Sequence, residues 1–302
     1  MNKDLILVVG LCGESVFMKT DHFNQDGETI VIDNIHKEPG GKGYNQAVAV
    51  KSLGVNTAFI GSIGDDESGK TCSEYLDKMG VVNALVIKNN TFSAYATITV
   101  DKHGNNNVAV YGGASNLLSI DDIVNNEHLF KRSKYLMLQL EVPDEILSKC
   151  FELSIKYDIS VIFNPAPFKE YGRKYINDSY VITPNFHEAK KLFKLDDDIN
   201  EQEIGNYLLS IGVNNIVVTL GKYGALVIEN NELVYIEPLI KDQTKVIDTT
   251  GAGDVFNGAL AACLFKGLSL SNSARYAMKA SAYSIQKQYV MPSIPTVGDI
   301  NE

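Results

Sequence analysis

Cysteine is scarce in this sequence: there are four in 302 residues, and Cys12, Cys72, Cys150 and Cys263 stand far apart. No C-x-x-C pair exists, which excludes a zinc knuckle and a redox dithiol of the usual spacing. Four reduced, buried thiols in a cytoplasmic protein are the expectation. Long apolar runs are also missing. "LILVVG" near the start is followed by no small-residue cleavage site, and no run approaches the roughly 20 residues that a membrane-spanning helix needs. Positive charge is in deficit, with 27 Lys and Arg against 37 Asp and Glu and a net charge of −10. That argues against a nucleic-acid or an anionic-membrane partner. No low-complexity tract and no internal repeat interrupts the chain.

Two common motifs are absent as well. "EPGGKGYNQAVAV", Glu38 to Val50, contains GKG but not the G-x-x-x-x-G-K-[ST] spacing, so it is not a P-loop. "NFHEAKKLF" offers His187 and Glu188, but Lys191 stands where a zinc H-E-x-x-H requires its second histidine.

What is present is an alternation of strands and helices. "LILVVG", "NTAFIGSIG", "KYLMLQLE", "ISVIFNPAP", "YVITPN" and "NNIVVTLG" read as strands buried on both faces. Helical patterns lie between several of them: one ends at Gly54, one starts at Pro143, and one follows Pro184. The pattern predicts an α/β fold, with a doubly wound, mostly parallel sheet flanked by helices. Residues about 14–37 and 91–111 alternate like antiparallel strands without intervening helices. A small antiparallel β lid over an active site is the expectation for them, and such a lid could double as a dimer edge.

The chemistry concentrates in "VIDTTGAGDVFNGALAACL", Val246 to Leu264. A helix start leaves amide N–H groups unpaired beside about half a positive charge. Gly251, Ala252 and Gly253 would aim such amides at one anion, as a phosphate site requires. Asp254 on the same helix end would cap it or accept a proton from an attacking hydroxyl. A plain N-cap accounts for Asp254 alone, but not for two glycines, two threonines and Asp248 beside it. In the GKG segment, Lys42 and Asn45 at a helix entry suit a polyhydroxyl ligand. Asn185 and Glu188 share one face of a helix start and could orient metal-bound water and phosphate, or simply cap the helix. "TLGKYGA", Thr219 to Ala225, could hold a nucleotide or form an ordinary turn.

Taken in order, these segments resemble the ribokinase (PfkB-type) sugar kinase family. "GGKGYNQAVA" is similar to its N-terminal signature and "DTTGAGDVFNGAL" to its C-terminal one, with "MLQLEVP", "NPAP" and "ITPN" between them. The resemblance implies one ribokinase-like α/β domain over residues 1–302, transferring the γ-phosphoryl of MgATP to a primary hydroxyl of a sugar. It makes Asp254 the general base and Gly251, Ala252 and Gly253 the anion hole. It puts Gly13, Gly40, Gly41, Lys42, Gly43, Asn45 and Glu141 on the sugar side, and Asn185, Glu188, Thr219, Gly221, Gly224 and Gly253 on the ATP side. It gives Asp248, Thr250, Ser284, Lys287 and Ser293 a monovalent cation, K⁺ in family terms, several of them through backbone carbonyls. A homodimer through the lid strands is the expected assembly.

The chain departs from the family pattern at four positions. Gly13 and Ser15 stand where ribokinase-type members carry an Asn and a diol-gripping Asp, and Glu14 would point to the opposite face. Tyr44 replaces a small residue, where it could narrow the pocket or stack on a ring. Tyr289 replaces a glycine near the cation loop, tolerable if that loop needs no positive φ. Ribose is the sugar favoured by overall similarity, while Gly13 and Ser15 keep another sugar or a nucleoside open. A catalytically silent sugar-binding protein would show a decayed base or anion hole, and neither is decayed here.

Overall fold

The computed structural model describes residues 3–301 apart from 33, 103–105 and 241. In chain order the strands are β1 (Leu5–Val9), β2 (Gly13–Lys19), β3 (Ile35–Gly40), β4 (Thr57–Gly64), β5 (Val82–Lys88), β6 (Ala94–Val100), β7 (Asn106–Tyr111), β8 (Ser133–Gln139), β9 (Ser160–Asn164), β10 (Val181–Ile182), β11 (Ile216–Thr219), β12 (Ala225–Glu229) and β13 (Glu232–Ile236). The helices are α1 (Lys42–Ser52), α2 (Glu67–Met79), α3 (Ile120–Asn125), α4 (Glu127–Arg132), α5 (Asp144–Lys156), α6 (Phe186–Phe193), α7 (Ile204–Ser210), α8 (Ala252–Phe265), α9 (Leu270–Ser284) and α10 (Val297–Asn301).

Among the described residues one sheet has nine strands in the order β13-β12-β11-β10-β9-β8-β1-β4-β5. Its pairs are parallel from β11 through β5, and β12 and β13 close one edge as an antiparallel hairpin. β1 shows why such strands read as unbroken apolar runs. Ile6 and Val8 join one core with α1, α2, α8 and α9, while Leu5, Leu7 and Val9 join the opposite core with α3 to α7. Successive side chains point to opposite faces, and both faces are covered. Helix ends follow local chemistry. Asp66 accepts the Gly69 N–H at the start of α2, and Gly80 ends that helix at φ 71°.

The smaller sheet has the order β3-β2-β6-β7. Its outer pairs are antiparallel, as expected of the lid, but the central pair β2–β6 runs parallel. The two expected segments therefore supply one hairpin each, and the hairpins meet side by side. This sheet leaves the large one after β1 and returns through β3 straight into α1. Glu141, Asn164, Thr183, Asn185 and Thr219 lie at or just beyond the carboxyl ends of β8 to β11, the edge where open α/β sheets place ligands. No described helix is long and apolar enough to cross a membrane.

Candidate active site

Gly251 stands at the N-cap of α8, and its φ of 75° lies in the left-handed region. A Cβ there would also stand 2.6 Å from Cγ1 of Val290. Backbone conformation and close approach both demand glycine. Asp254 and Val255 each donate their N–H to Gly251 O at 2.9 Å, while Ala252 N–H closes a turn on Thr249 O at 3.2 Å. An anion bound here would have to share or release that last bond. A Cβ on Gly253 would meet nothing within 4 Å, so the helix mouth is open on that side.

Asp254, in the first turn of α8, is buried at 7% exposure. Asn45 Nδ2 donates to its Oδ2 at 2.9 Å, and Gln46 Nε2 donates to its Oδ1 at 3.1 Å. Asn45 Oδ1 is buried without a partner, leaving an acceptor beside the carboxylate. Gln46 is fully buried and was not singled out from the sequence. It also donates to Asn164 Oδ1 at 3.2 Å and accepts from Gln139 Nε2 at 2.7 Å. Asn164 donates to Thr183 O, Thr183 bonds Asn257, and Asn257 donates back to Gly253 O at 2.8 Å. A connected polar network thus links the Asp254 carboxylate to the first turn of α8 through Gln46, Asn164, Thr183 and Asn257. Of its members, Gln139 Oε1 has no partner, as Asn45 Oδ1 has none beside the carboxylate.

The residues expected on the sugar side gather at the start of α1. Gly41 caps it at φ 115°, where a Cβ would strike Leu11 O at 2.3 Å. Glu141 accepts the backbone N–H of Lys42 at 2.8 Å, taking one of the unpaired donors of that helix start. The remaining glycines are packing positions. A Cβ on Gly13 would meet Ala94 O at 2.0 Å, one on Gly40 would meet Ser15 Oγ at 2.1 Å, and one on Gly43 would meet Gly10 Cα at 2.8 Å. Ser15 is buried with its hydroxyl against Gly40. Glu14 points away, as alternation requires, and pairs with Lys37 at 3.1 Å. Tyr44 corrects the expectation made for it: it is fully buried, donates to Cys72 O at 2.8 Å and packs edge-on against Phe59. It neither narrows a pocket nor offers a face for stacking.

Asn185, Thr219, Gly221, Gly224, Ala252 and Gly253 line one cavity of about 460 Å³. Glu188 is not in that lining. Asn185 and Glu188 form a reciprocal capping box on α6, with bonds of 2.8 and 2.9 Å. Their side chains are thus engaged by the helix, the simpler of the two roles foreseen for them. The far wall is apolar, with Leu239, Val246, Phe256, Met278 and Ile285. This wall suits a flat ring such as a purine, and its members were not recognised from the sequence because they come from separate segments.

The expected cation residues also come together. Asp248 accepts Thr250 N–H on Oδ1 at 2.9 Å and Tyr289 N–H on Oδ2 at 3.0 Å. Ile285 O accepts from Ile247 N–H at 2.8 Å, which joins this loop to the end of α9. Ser293 Oγ donates to Val290 O at 2.8 Å. Lys287 lays its ammonium on the Tyr283 ring, 4.1 Å from the centroid, so only its backbone could serve an ion. Tyr289 does take a positive φ, 66°, so the condition set for a non-glycine residue there is not met. A left-handed non-glycine residue costs about 1–2 kcal/mol, offset here by stacking on His36 at 3.7 Å and edge contact with Phe17 at 5.3 Å.

Residues 3–297 match the family described as pfkB family carbohydrate kinase. The chain belongs to that family. Over 302 residues it is 30% identical to the ribokinase of Staphylococcus aureus, with 98% of each covered. Its structure is similar to that of a ribokinase from Thermotoga maritima, with a TM-score of 0.86 and 30% identity over 98% of both chains. It is also similar to an Arabidopsis thaliana ribokinase complexed with ribose and ATP, with a TM-score of 0.84 and 25% identity over 100% of this chain and 98% of that one. Membership makes the chain a phosphotransferase with an alcohol group as acceptor, in the ribokinase-like fold that the sequence predicted.

In this pfkB-family kinase three carboxylates share one lysine. Burial raises Asp254 and Glu188 above the usual carboxylate range against the pull of Lys42. Burial likewise pushes Glu141 up to about 7, opposed by Lys42 and assisted by Asp254. Burial would lower Lys42, but Asp254, Glu141 and Glu188 outweigh it and hold the ammonium above its ordinary value. The shift at Glu141 has a sign. Its contribution to stability is full below the reference value of 4.5 and is lost as pH rises through about 7. Replacing Glu141 by Gln should therefore make the ligand-free protein progressively more heat-stable than wild type across that window. Thermal midpoints measured for both proteins below 4.5 and above 7 check this, and an unchanging difference would refute it.

Proposed function

We propose that the chain transfers the γ-phosphoryl of ATP to the primary hydroxyl of a sugar, with ribose as the first candidate, and that Asp254 is the general base. The reading rests on one juxtaposition: a buried carboxylate, doubly hydrogen-bonded and under the charge of Lys42, sits in the first turn of the helix whose open mouth borders the apolar cavity. ATP would lay its base against the Met278–Ile285 wall and its phosphates toward Gly251–Gly253. Asn185, Thr219, Gly221 and Gly224 would flank it. The sugar would meet Asn45 Oδ1, Lys42 and Glu141 on the lid side. A raised carboxylate is a better base near neutrality than an ordinary one. The amides at the start of α8 would receive charge as the phosphoryl migrates. We read the chain as one catalytic domain with the smaller sheet as its lid.

No cluster of three or more His, Cys, Asp or Glu side chains suited to a metal occurs among the described residues. Mg²⁺ generally binds through one or two carboxylates together with substrate phosphates, and Glu188 is the candidate protein contribution. The Asp248 loop offers hard oxygen donors, including a buried Thr250 Oγ1 without a partner, and these fit a monovalent cation. Such an ion would add positive charge behind the anion hole. The exposed residues Val108, Val110 and Tyr111 on the lid's edge strand β7 support a homodimer through the lid. The four free, buried cysteines support a cytoplasmic location.

Ser15 favours a second reading, a sugar or nucleoside bound without a carboxylate grip on a vicinal diol. An ADP-release screen over pentoses, hexoses and nucleosides, with MgATP and with or without K⁺, separates the two. Ribose is expected to give the fastest turnover. A faster deoxypentose, hexose or nucleoside would transfer the assignment to that acceptor. No release above the acceptor-free rate with any of them would overturn the kinase reading.

A further inference from the structure

Glu38 is a buried carboxylate, 7% exposed, that takes no part in the site described so far. It stands on β3 of the lid, two residues before Gly40. Its Oε1 accepts the N–H of Val290 at 2.7 Å, across 252 residues of chain. Its Oε2 accepts the N–H of Met291 at 3.3 Å and faces His36 Nε2 at 3.2 Å. The preceding amide, that of Tyr289, goes to Asp248 at 3.0 Å. Three successive N–H groups are thus held by two carboxylates, one on the lid strand and one on the loop that leads into Gly251.

The segment between those carboxylates touches the anion hole. Val290 is buried, and its methyl groups occupy the space that a side chain on Gly251 would need, 2.6 Å from a built Cβ. The Tyr289 ring is clamped by His36 of β3 and Phe17 of β2. A buried donor left without its acceptor is costly, so the Val290 and Met291 end of the turn, which Asp248 does not hold, depends on Glu38.

We propose that Glu38 is a positioning residue that fixes Val290 against Gly251 and so links the lid strand to the anion hole. This rests on the reading of the α8 N-terminus as the phosphoryl-binding end. Interactions made only in the transition state lower kcat without raising KM when they are lost. For Glu38→Ala the expected result is therefore a fall in kcat of about tenfold or more, with KM for ATP and D-ribose changed by less than about threefold. Glu38→Gln keeps an acceptor for the Val290 N–H and should recover most of that loss.

Hydrogen exchange of the full chain gives a readout independent of turnover. In Glu38→Ala the amides of 249–254 should exchange about tenfold faster than in wild type, while those in the interior of α9 do not change. Val290→Ala should reproduce this, and Glu38→Ala added to it should change little more. Unchanged exchange at 249–254, or a uniform rise throughout the chain, would overturn the proposal. So would a Glu38→Ala enzyme with wild-type kcat. If wild type turns over no acceptor, the kinase reading fails, and the exchange measurement alone decides the role of Glu38.

Discussion

Asp254→Asn is expected to fold at least as well as wild type and to lose about 10²–10⁴-fold in kcat, the range for removal of a positioned general base. The structure explains why the fold should survive. The new amide must set one N–H₂ against a former donor. Gln46 is held the other way round by Asn164, whose Oδ1 accepts from it and whose own amide is fixed on Thr183 O. Asn45 can turn, because its Oδ1 has no partner. Rotated by half a turn, it would accept from the new amide, while Gln46 continues to donate to the remaining oxygen. The substitution also removes a buried charge whose ionised form is disfavoured by desolvation, so the thermal midpoint should stay level or rise. Steady-state kinetics with MgATP and the best acceptor, beside thermal unfolding, test both halves. Retention of more than about a tenth of wild-type kcat would refute the general-base role.

The parts of this site that were readable beforehand are those written in local sequence. Gly251 and Asp254 lie three residues apart, and the helix entry they make needs no distant partner. The α1 entry is similar: Gly41, Lys42 and Asn45 announce a glycine-led helix start. The polar network around Asp254 is different. Gln46 meets Asp254, Asn164 and Gln139 across 208, 118 and 93 residues. No short window contains those pairs, and an isolated Gln carries no signal. The parallel pairing of β2 with β6 escaped for the same reason, since alternation marks a strand but not its neighbour.

Tyr44 is instructive because its placement was within reach. On a helix of 3.6 residues per turn, Lys42, Asn45 and Gln46 share a face. Tyr44 falls on the opposite side, toward the core, where Cys72 O receives its hydroxyl. Tyr289 shows the reverse situation. Nothing in "QKQYVMPS" reveals a left-handed residue, and the compensation comes from His36 and Phe17 on the smaller sheet.

Gly251→Ala carries the other large expected effect, and Gly253→Ala is its control. At Gly251 a methyl group would adopt φ 75° and stand 2.6 Å from Val290 Cγ1. Strain in the left-handed region costs about 1–2 kcal/mol, and overpacking adds about 1–3 kcal/mol. The turn should relax by swinging away from Val290, carrying the amides of 252 and 253 with it. Displacing an oxyanion donor costs about 10²–10³ in kcat, so Gly251→Ala should lose both stability and rate. At Gly253 the backbone is ordinary and a Cβ meets no atom within 4 Å, so Gly253→Ala should unfold at the wild-type temperature. Its methyl group would nonetheless stand at the mouth of α8, where the phosphoryl group is expected to approach, and its kcat should fall while its fold does not. Thermal unfolding and kinetics on both variants separate scaffold from chemistry. A fully active Gly253→Ala enzyme would mean that the phosphoryl group travels elsewhere. A Gly251→Ala enzyme that is less stable but equally fast would mean that the left-handed turn only supports the fold.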